Sequence, residues 1–457
     1  MSSEKMLTYE SREAWILNGD LKRLFWKFAL PGVGGLLFIG LQSVVDGLVL
    51  GHFVGANALA SVNLILPCYS LITAVAIMIG IGCQTLVSIS LGEGDRRKAN
   101  DAVASLFYFL VGLSAVLSAL IYAFAVPIAG FLGANEVLLP GAVDYIRTLV
   151  PFFPVLCAMF FGDYIIKAMG RPLYAMNVMG MTVVLNIVLA IWLVGGLGMG
   201  VKGAGLSTGL AFSVGACCSL PYLFYPGCPV SVPRGRFRWR LIWKAFYNGS
   251  SEGFSELSVA ITVFIFNITL MAYLGEDGVA GFTAINYIMF IGVTLFLGIS
   301  DGIIPLIGYN FGAGRHERIR KVLGIAVRVN MGIGLTLFLV LFLFGRTIMS
   351  FFFPAGGAAL TVASDGIAIY SFAFLMNGLN ILASSYFTAI GNAKVSIIIS
   401  MLRGLVFVVA GILIYPHIWG IRSIWLNVPI AEVCTLGVSG WLVWKSLRKS
   451  LRKSLRK

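Results

Sequence analysis

The sequence predicts an all-α membrane protein of twelve transmembrane helices, built as two tandem six-helix bundles. Composition, the spacing of apolar stretches and an internal repeat carry that prediction. Of 457 residues, 59% are hydrophobic and 11% are charged, and mean hydropathy is +0.93. A soluble domain carries roughly 25% charged residues, so this charge cannot cover a water-facing surface. Apolar stretches long enough for a helix to cross ~30 Å of hydrocarbon start near residues 28, 58, 102, 143, 174, 203, 248, 279, 325, 366, 395 and 424.

The two halves repeat at an offset of about 220 residues. Leu91-Gly92-Glu93-Gly94 matches Phe311-Gly312-Ala313-Gly314, and basic residues follow each. Gly55 matches Gly275, Ala168-Met169-Gly170 matches Ala389-Ile390-Gly391, and Gly200-Val201-Lys202 matches Gly420-Ile421-Arg422. Six helices per half is an even number, so both halves enter the membrane from the same side and the repeat is parallel. The boundaries that follow are an N-terminal tail (1–27), a first lobe (28–225), a linker (226–247), a second lobe (248–444) and a basic tail (445–457).

The net charge of +14 is arranged for a membrane and not for nucleic acid. Most Lys and Arg fall in alternate connections: the two tails, 89–100, 167–173, 226–245, 309–325 and Lys394. The opposite connections hold only Arg147, Lys202, Arg346 and Arg422. Under the positive-inside rule both termini are cytoplasmic, and a bacterial inner (plasma) membrane is the expected location. The first 27 residues lack the apolar core and small-residue cleavage pattern of a signal peptide, so the N-terminus is expected to be retained. The repeated Lys445-Ser446-Leu447-Arg448 pattern reads as a basic tail on the lipid surface or in solvent. The seven cysteines lie mostly in apolar runs, without CxxC or histidine-paired spacing, and read as packing residues.

In order and spacing, several segments resemble the multidrug and toxic compound extrusion (MATE) transporters, most of all the bacterial branch with staphylococcal-type multidrug exporters. They are Ala29-Leu30-Pro31, Val45-Asp46-Gly47, Gly92-Glu93-Gly94-Asp95, Gly249-Ser250-Ser251-Glu252, Pro305 through Ala313, and Leu402-Arg403-Gly404. The resemblance covers essentially the whole chain. It implies a V-shaped pair of bundles and export of organic cations in exchange for protons or sodium by alternating access.

Ionisable residues inside hydrocarbon cost about 2.5–3.5 kcal/mol on insertion scales, so each one needs a reason. Asp46 lies deep in the first apolar stretch, with Gln42 one turn earlier on the same face. The resemblance makes Asp46 the coupling carboxylate and adds Asn186 and Thr208 as partners. It also calls for an aspartate where this chain has Ala190, which favours protons over sodium near Asp46. In the second lobe Glu252 and Glu256 stand one turn apart, where like charges repel. They are expected to share a proton and to meet the cationic substrate, with Asn267 extending the polar stripe. Arg403 and Glu432, at similar depths on the last two helices, are expected to form a structural ion pair, as are Asp163 and Lys167. The counterparts of Asp46 and Glu432 in the other halves are Phe266 and Phe212, so the halves carry different charges. Met176, Met179, Met181, Phe290 and Phe296 are candidates for an adaptable cleft wall.

The expected partners are small amphipathic organic cations and membrane lipids. The chain is expected to act as a monomer, with no metal or other cofactor. It shows no GxSxG, HExxH or Walker motif and only three His, so an enzyme is not expected. The alternative function is a lipid or lipid-linked oligosaccharide flippase of the same superfamily.

Overall fold

The computed structural model describes residues 9–225, 227–354 and 356–454. Residues 1–8 and 455–457, which end the two predicted tails, lie outside them. The described elements are helices: α1 (Tyr9–Asn18), α2 (Leu21–Phe53), α3 (Ala56–Gly92), α4 (Arg96–Ala123) and the short α5 (Ala125–Phe131). Next come α6 (Leu139–Ala168), α7 (Pro172–Gly196), α8 (Gly200–Phe224), α9 (239–274) and α10 (276–312). The last four are α11 (His316–Met349), α12 (Ala358–Ala389), α13 (Ala393–Trp419) and α14 (Ser423–Lys449).

Among the described residues, eleven helical stretches are long and apolar enough to span a membrane. The longest, Trp239–Gly312, breaks at Gly275 (φ 62°, ψ −153°). It therefore holds two spans, α9 and α10, which brings the number to the expected twelve. The helices start up to nine residues before the apolar stretches, because polar first turns such as Arg96-Arg97-Lys98 remain helical. There Asp95 caps α4 by accepting the Lys98 N–H at 2.9 Å.

The repeat shows itself in the backbone. Gly55 and Gly275, Gly94 and Gly314, Gly170 and Gly391, and Gly200 and Gly420 all have positive φ. Each sits at a turn whose left-handed backbone carries a penalty for any side chain. The same turns thus recur in both halves.

The chain forms two compact units, and their limits differ from the lobes read in the sequence. The first contains residues up to Gly19 and Gly34–Gly249; the second contains Asp20–Val33 and Ser250 onward. Helices α2 and α9 therefore each change unit part-way along. Within the first unit, the start of α9 lies against α3. A Cβ on Gly82 would overlap the Ala245 carbonyl, and one on Gly249 would overlap that of Met78. Within the second unit, the start of α2 lies against α10. There a Cβ on Gly302 would stand 2.7 Å from the Phe28 carbonyl oxygen and 3.1 Å from Ala29 Cα, and one on Gly298 would overlap Val33. Backbones meet at both crossings because no side chain intervenes. Relative to the repeat, the second crossing is displaced along the first helix by about one turn.

The predicted linker is not a loose tether. Ser231 N–H donates to Asn100 Oδ1 (2.7 Å), Arg236 N–H to Asp101 Oδ1 (2.8 Å) and Arg238 N–H to Ser105 Oγ (2.8 Å). Arg238 Nε also pairs with Asp101 Oδ2 at 2.8 Å. Three side chains on two successive turns of α4 thus strap residues 231–238 down, and α9 starts immediately after.

Ring contacts hold the cores. In the first unit Phe107 meets Phe161 and Phe224 at 5.9 and 5.4 Å, and Phe160 meets Phe212 at 5.6 Å. In the second, Phe266 stacks on Phe282 at 4.6 Å and Phe296 meets Phe374 at 6.3 Å.

Two outcomes are expected. Gly82→Ala should lower stability by about 1–3 kcal/mol through overpacking. Gly112→Ala, where a Cβ meets nothing, should be neutral or gain up to ~1 kcal/mol of helix propensity. Thermal unfolding in detergent compares them. Asp101→Ala should release the strap, so that hydrogen exchange at the Arg236 and Arg238 amides accelerates at least tenfold while the rest of α4 stays protected.

Candidate functional site

Polar groups gather at one place in each unit. In the first, Asp46 on α2 faces Asn186 on α7, which is fully buried. With the Asn186 amide nitrogen turned toward the carboxylate, Nδ2 donates to Asp46 Oδ1 at 2.9 Å. Its oxygen then accepts from the Thr208 hydroxyl on α8 at 3.2 Å. This orientation is favoured because the alternative sets an amide oxygen against a carboxylate oxygen. Gln42, buried one turn before Asp46, reaches the same carboxylate. Asp46, Gln42, Asn186 and Thr208 therefore form one group. Two phenols unforeseen from the sequence, Tyr69 on α3 and Tyr145 on α6, lie within electrostatic reach of Asp46. Ala190 is buried one turn beyond Asn186 and adds no ligand atom. Immediately after it, α7 widens into a π-helical segment, Ile191–Gly196, a distortion that often marks functional helices.

In the second unit, Glu252 on α9 is within electrostatic reach of Asp301 on α10, Arg403 on α13 and Glu256. Asp301 was the residue overlooked. The sequence offers no partner for it, yet the fold brings it within electrostatic reach of Glu252. It accepts a hydrogen bond from Ser385 Oγ at 3.1 Å. Glu256 points to an exposed face and Glu252 is half-buried. Asn267 lies about four turns further along α9, and its buried Oδ1 finds no partner among the described residues, so it does not extend this group.

Arg403 and Glu432 do not form the contact ion pair expected of them. Glu432, 3% exposed, is held by two amides on α12. Asn377 Nδ2 donates to Oε1 and Asn380 Nδ2 to Oε2, each at 2.7 Å. Asn380 also donates to the Glu432 carbonyl at 2.9 Å and accepts from Ser439 Oγ at 2.7 Å. Arg403 acts on Glu432 through space from a π-helical segment of its own, Leu402–Val406. Two amides thus stand where one cation was expected, and Arg403 lies within electrostatic reach of both Glu252 and Glu432. The Asn377 and Asn380 pair, three apart on an apolar helix, was the sequence signal that could have located this site. Lys167 and Asp163 do pair, at 2.5 Å.

Of the proposed cleft residues, Met176 and Met181 line a groove of about 690 Å³ in the first unit together with Phe38 and Val184. Met179 and Phe296 are instead buried packing residues.

Two units of membrane helices, each with its own carboxylate cluster, are matched by a known family. The MatE family model fits residues 31–192 and again 253–413. The chain belongs to the MATE family of transporters. The double match restarts about 220 residues on, in line with the internal repeat. Among curated relatives, the multidrug export protein MepA of Staphylococcus aureus is 23% identical over 414 residues, which is 90% of each chain. Among solved structures, a MATE protein in complex with MaD3S aligns with a TM-score of 0.89 at 21% identity, covering 96% of this chain and 98% of that one. A MOP superfamily transporter from Pyrococcus furiosus aligns with a TM-score of 0.87 at 22% identity, covering 95% and 98%. The twelve-helix fold of this MATE transporter is thereby established, as is its character as a multi-pass membrane protein.

Asn380→Ala should leave a Glu432 oxygen, its carbonyl and the Ser439 hydroxyl short of a partner, at about 1–3 kcal/mol. A fall in thermal unfolding temperature larger than for Ser439→Ala checks it.

Proposed function

We propose that this MATE transporter exports small amphipathic organic cations by antiport against protons, through alternating access. The observation that carries this reading is the chemistry around Asp46. One carboxylate accepts from the Asn186 amide and is reached by the Gln42 amide, Thr208 backs Asn186 from behind, and position 190 adds only a methyl group. Such a set holds a single proton on one oxygen while its neighbours donate to the other. A sodium ion needs several hard oxygen ligands, and the missing carboxylate at 190 removes one.

In the second unit Glu252, with Asp301 and Glu256 nearby, offers negative charge to an organic cation, while Arg403 limits how much of it accumulates. A cation arriving there and a proton leaving complete an exchange without covalent chemistry, so neither an enzymatic step nor a cofactor is invoked. The Met176–Phe38 groove supplies an apolar, adaptable surface. The name of the staphylococcal relative supports multidrug substrates. The charge pattern supports placement in a bacterial plasma membrane with cytoplasmic termini, and each monomer carries both sites. The flippase alternative is not favoured: the family match and the multidrug export relative point to efflux.

Efflux of a fluorescent organic cation from proteoliposomes, driven separately by a pH gradient and by a sodium gradient, tests the proposal. The pH gradient alone should drive efflux. Asp46→Asn should slow it at least tenfold, and Glu252→Gln should weaken cation binding. Efflux driven by sodium alone, or an Asp46→Asn protein as fast as the parent, would overturn the assignment.

A further inference from the structure

A second polar site lies in the other direction along the second unit, away from the carboxylates. A cavity of about 540 Å³ opens between the end of α11 and the start of α12. Arg346 and Asp365 line it with Thr361 and Ser364, and Trp425 forms part of its wall. Trp425 is 2% exposed, while the two charged side chains are exposed. Gly345 packs against Ile367, which brings the Arg346 and Asp365 turns to the same crossing. Neither charged side chain has a hydrogen-bond or ion-pair partner among the described residues. Opposite charges share one cavity without meeting each other.

The depth of the cavity is set by α11. Arg346 is in its last turn, directly after the apolar run 329–344. The basic cluster Arg315, Arg318, Arg320 and Lys321 is at its other end, about 40 Å of helix away at ~1.5 Å per residue. That separation exceeds the ~30 Å hydrocarbon core, so the cavity opens at the headgroup level of the opposite membrane surface. Its rim continues into an apolar ridge. Phe338 stacks on Phe342 at 5.4 Å and meets Phe372 at 4.7 Å, and Phe342 and Phe372 are 49% and 42% exposed.

We propose that this cavity is a binding site for a phospholipid whose headgroup carries both a phosphate and a primary ammonium. Arg346 presents a planar fork to the phosphate, suited to bidentate hydrogen bonding. Asp365 only accepts hydrogen bonds and takes the N–H groups of the ammonium. The acyl chains lie along the Phe338, Phe342 and Phe372 ridge. A trimethylammonium headgroup has no N–H to give Asp365, and a glycerol headgroup has no positive charge, so both fit less well. This site is separate from the transport reading and stands whether or not protons drive export.

The purified full-length protein, incubated with equal amounts of phosphatidylethanolamine, phosphatidylcholine and phosphatidylglycerol of identical acyl chains, is examined by native mass spectrometry. Phosphatidylethanolamine should be retained several-fold over the other two. Arg346→Ala should lower retention of phosphatidylethanolamine and phosphatidylglycerol alike, and Arg346→Lys should restore part of it. Asp365→Asn should bring phosphatidylethanolamine down to the phosphatidylcholine level. Glycerophosphoethanolamine, the headgroup without chains, should compete at least tenfold more weakly than the lipid. Equal retention of the three lipids by the unsubstituted protein, a comparison that needs no variant to fold, overturns the proposal. So does a preference that survives both Arg346→Ala and Asp365→Asn, or competition by the bare headgroup as strong as by the lipid.

Discussion

Helices in a bilayer gain little by burying apolar side chains against one another, because lipid tails are already apolar. Association must come from close packing and from polar contacts. This transporter meets that constraint with backbone against backbone, at Gly82 and Gly249 in one unit and at Gly298 and Gly302 in the other. The helices held there, α2 and α9, are those that change unit along their length, and they also carry Asp46 and Glu252. Asp46 follows on α2 after its anchored end, and Glu252 follows on α9 just past Gly249. On each helix a backbone crossing at one end is followed by a carboxylate further along.

Charge and bulk exchange places between the halves. Asp46 in the first half corresponds to Phe266 in the second, which is fully buried and stacked on Phe282. Glu432 corresponds to Phe212, buried against Phe160. A carboxylate at membrane depth needs partners, and each has drawn polar groups around it: Gln42, Asn186 and Thr208 in one unit, Asn377, Asn380 and Ser439 in the other. Where the counterpart is a ring, those neighbours are not needed and the space is filled by aromatic packing. One architecture therefore serves two chemistries, without disturbing the glycine turns that define it.

Much of this was legible in the sequence, for reasons that differ by level. The membrane-spanning helices could be read because hydrocarbon demands long apolar runs. The repeat could be read because left-handed turns demand glycine at fixed places. Asp46, Asn186 and Thr208 were found together as the resemblance implied. What escaped reading depended on which helices meet. Asp301 looked like an ordinary charge near a helix end until α10 brought it to Glu252. Asn377 and Asn380 take their role only from α14, which sets Glu432 against both amides. The direct Arg403–Glu432 pair failed for the same reason: equal depth on neighbouring helices fixes height but not which faces meet. The exchange of helix ends between units was likewise invisible, since apolar periodicity carries no record of the partner.

That exchange bears on how the chain is made. Domains of a large protein commonly fold one after another as they leave the ribosome, at ~5–20 residues per second. Here the opening segment of α2 cannot reach its place until residues 298–302 have been synthesised, which takes on the order of ten seconds or more at that rate. During that interval the segment of the first membrane helix around Phe28 to Val33 stands open to lipid, to its own half or to another nascent chain. The two halves are successive in sequence but not in assembly, and the first is finished only by the second.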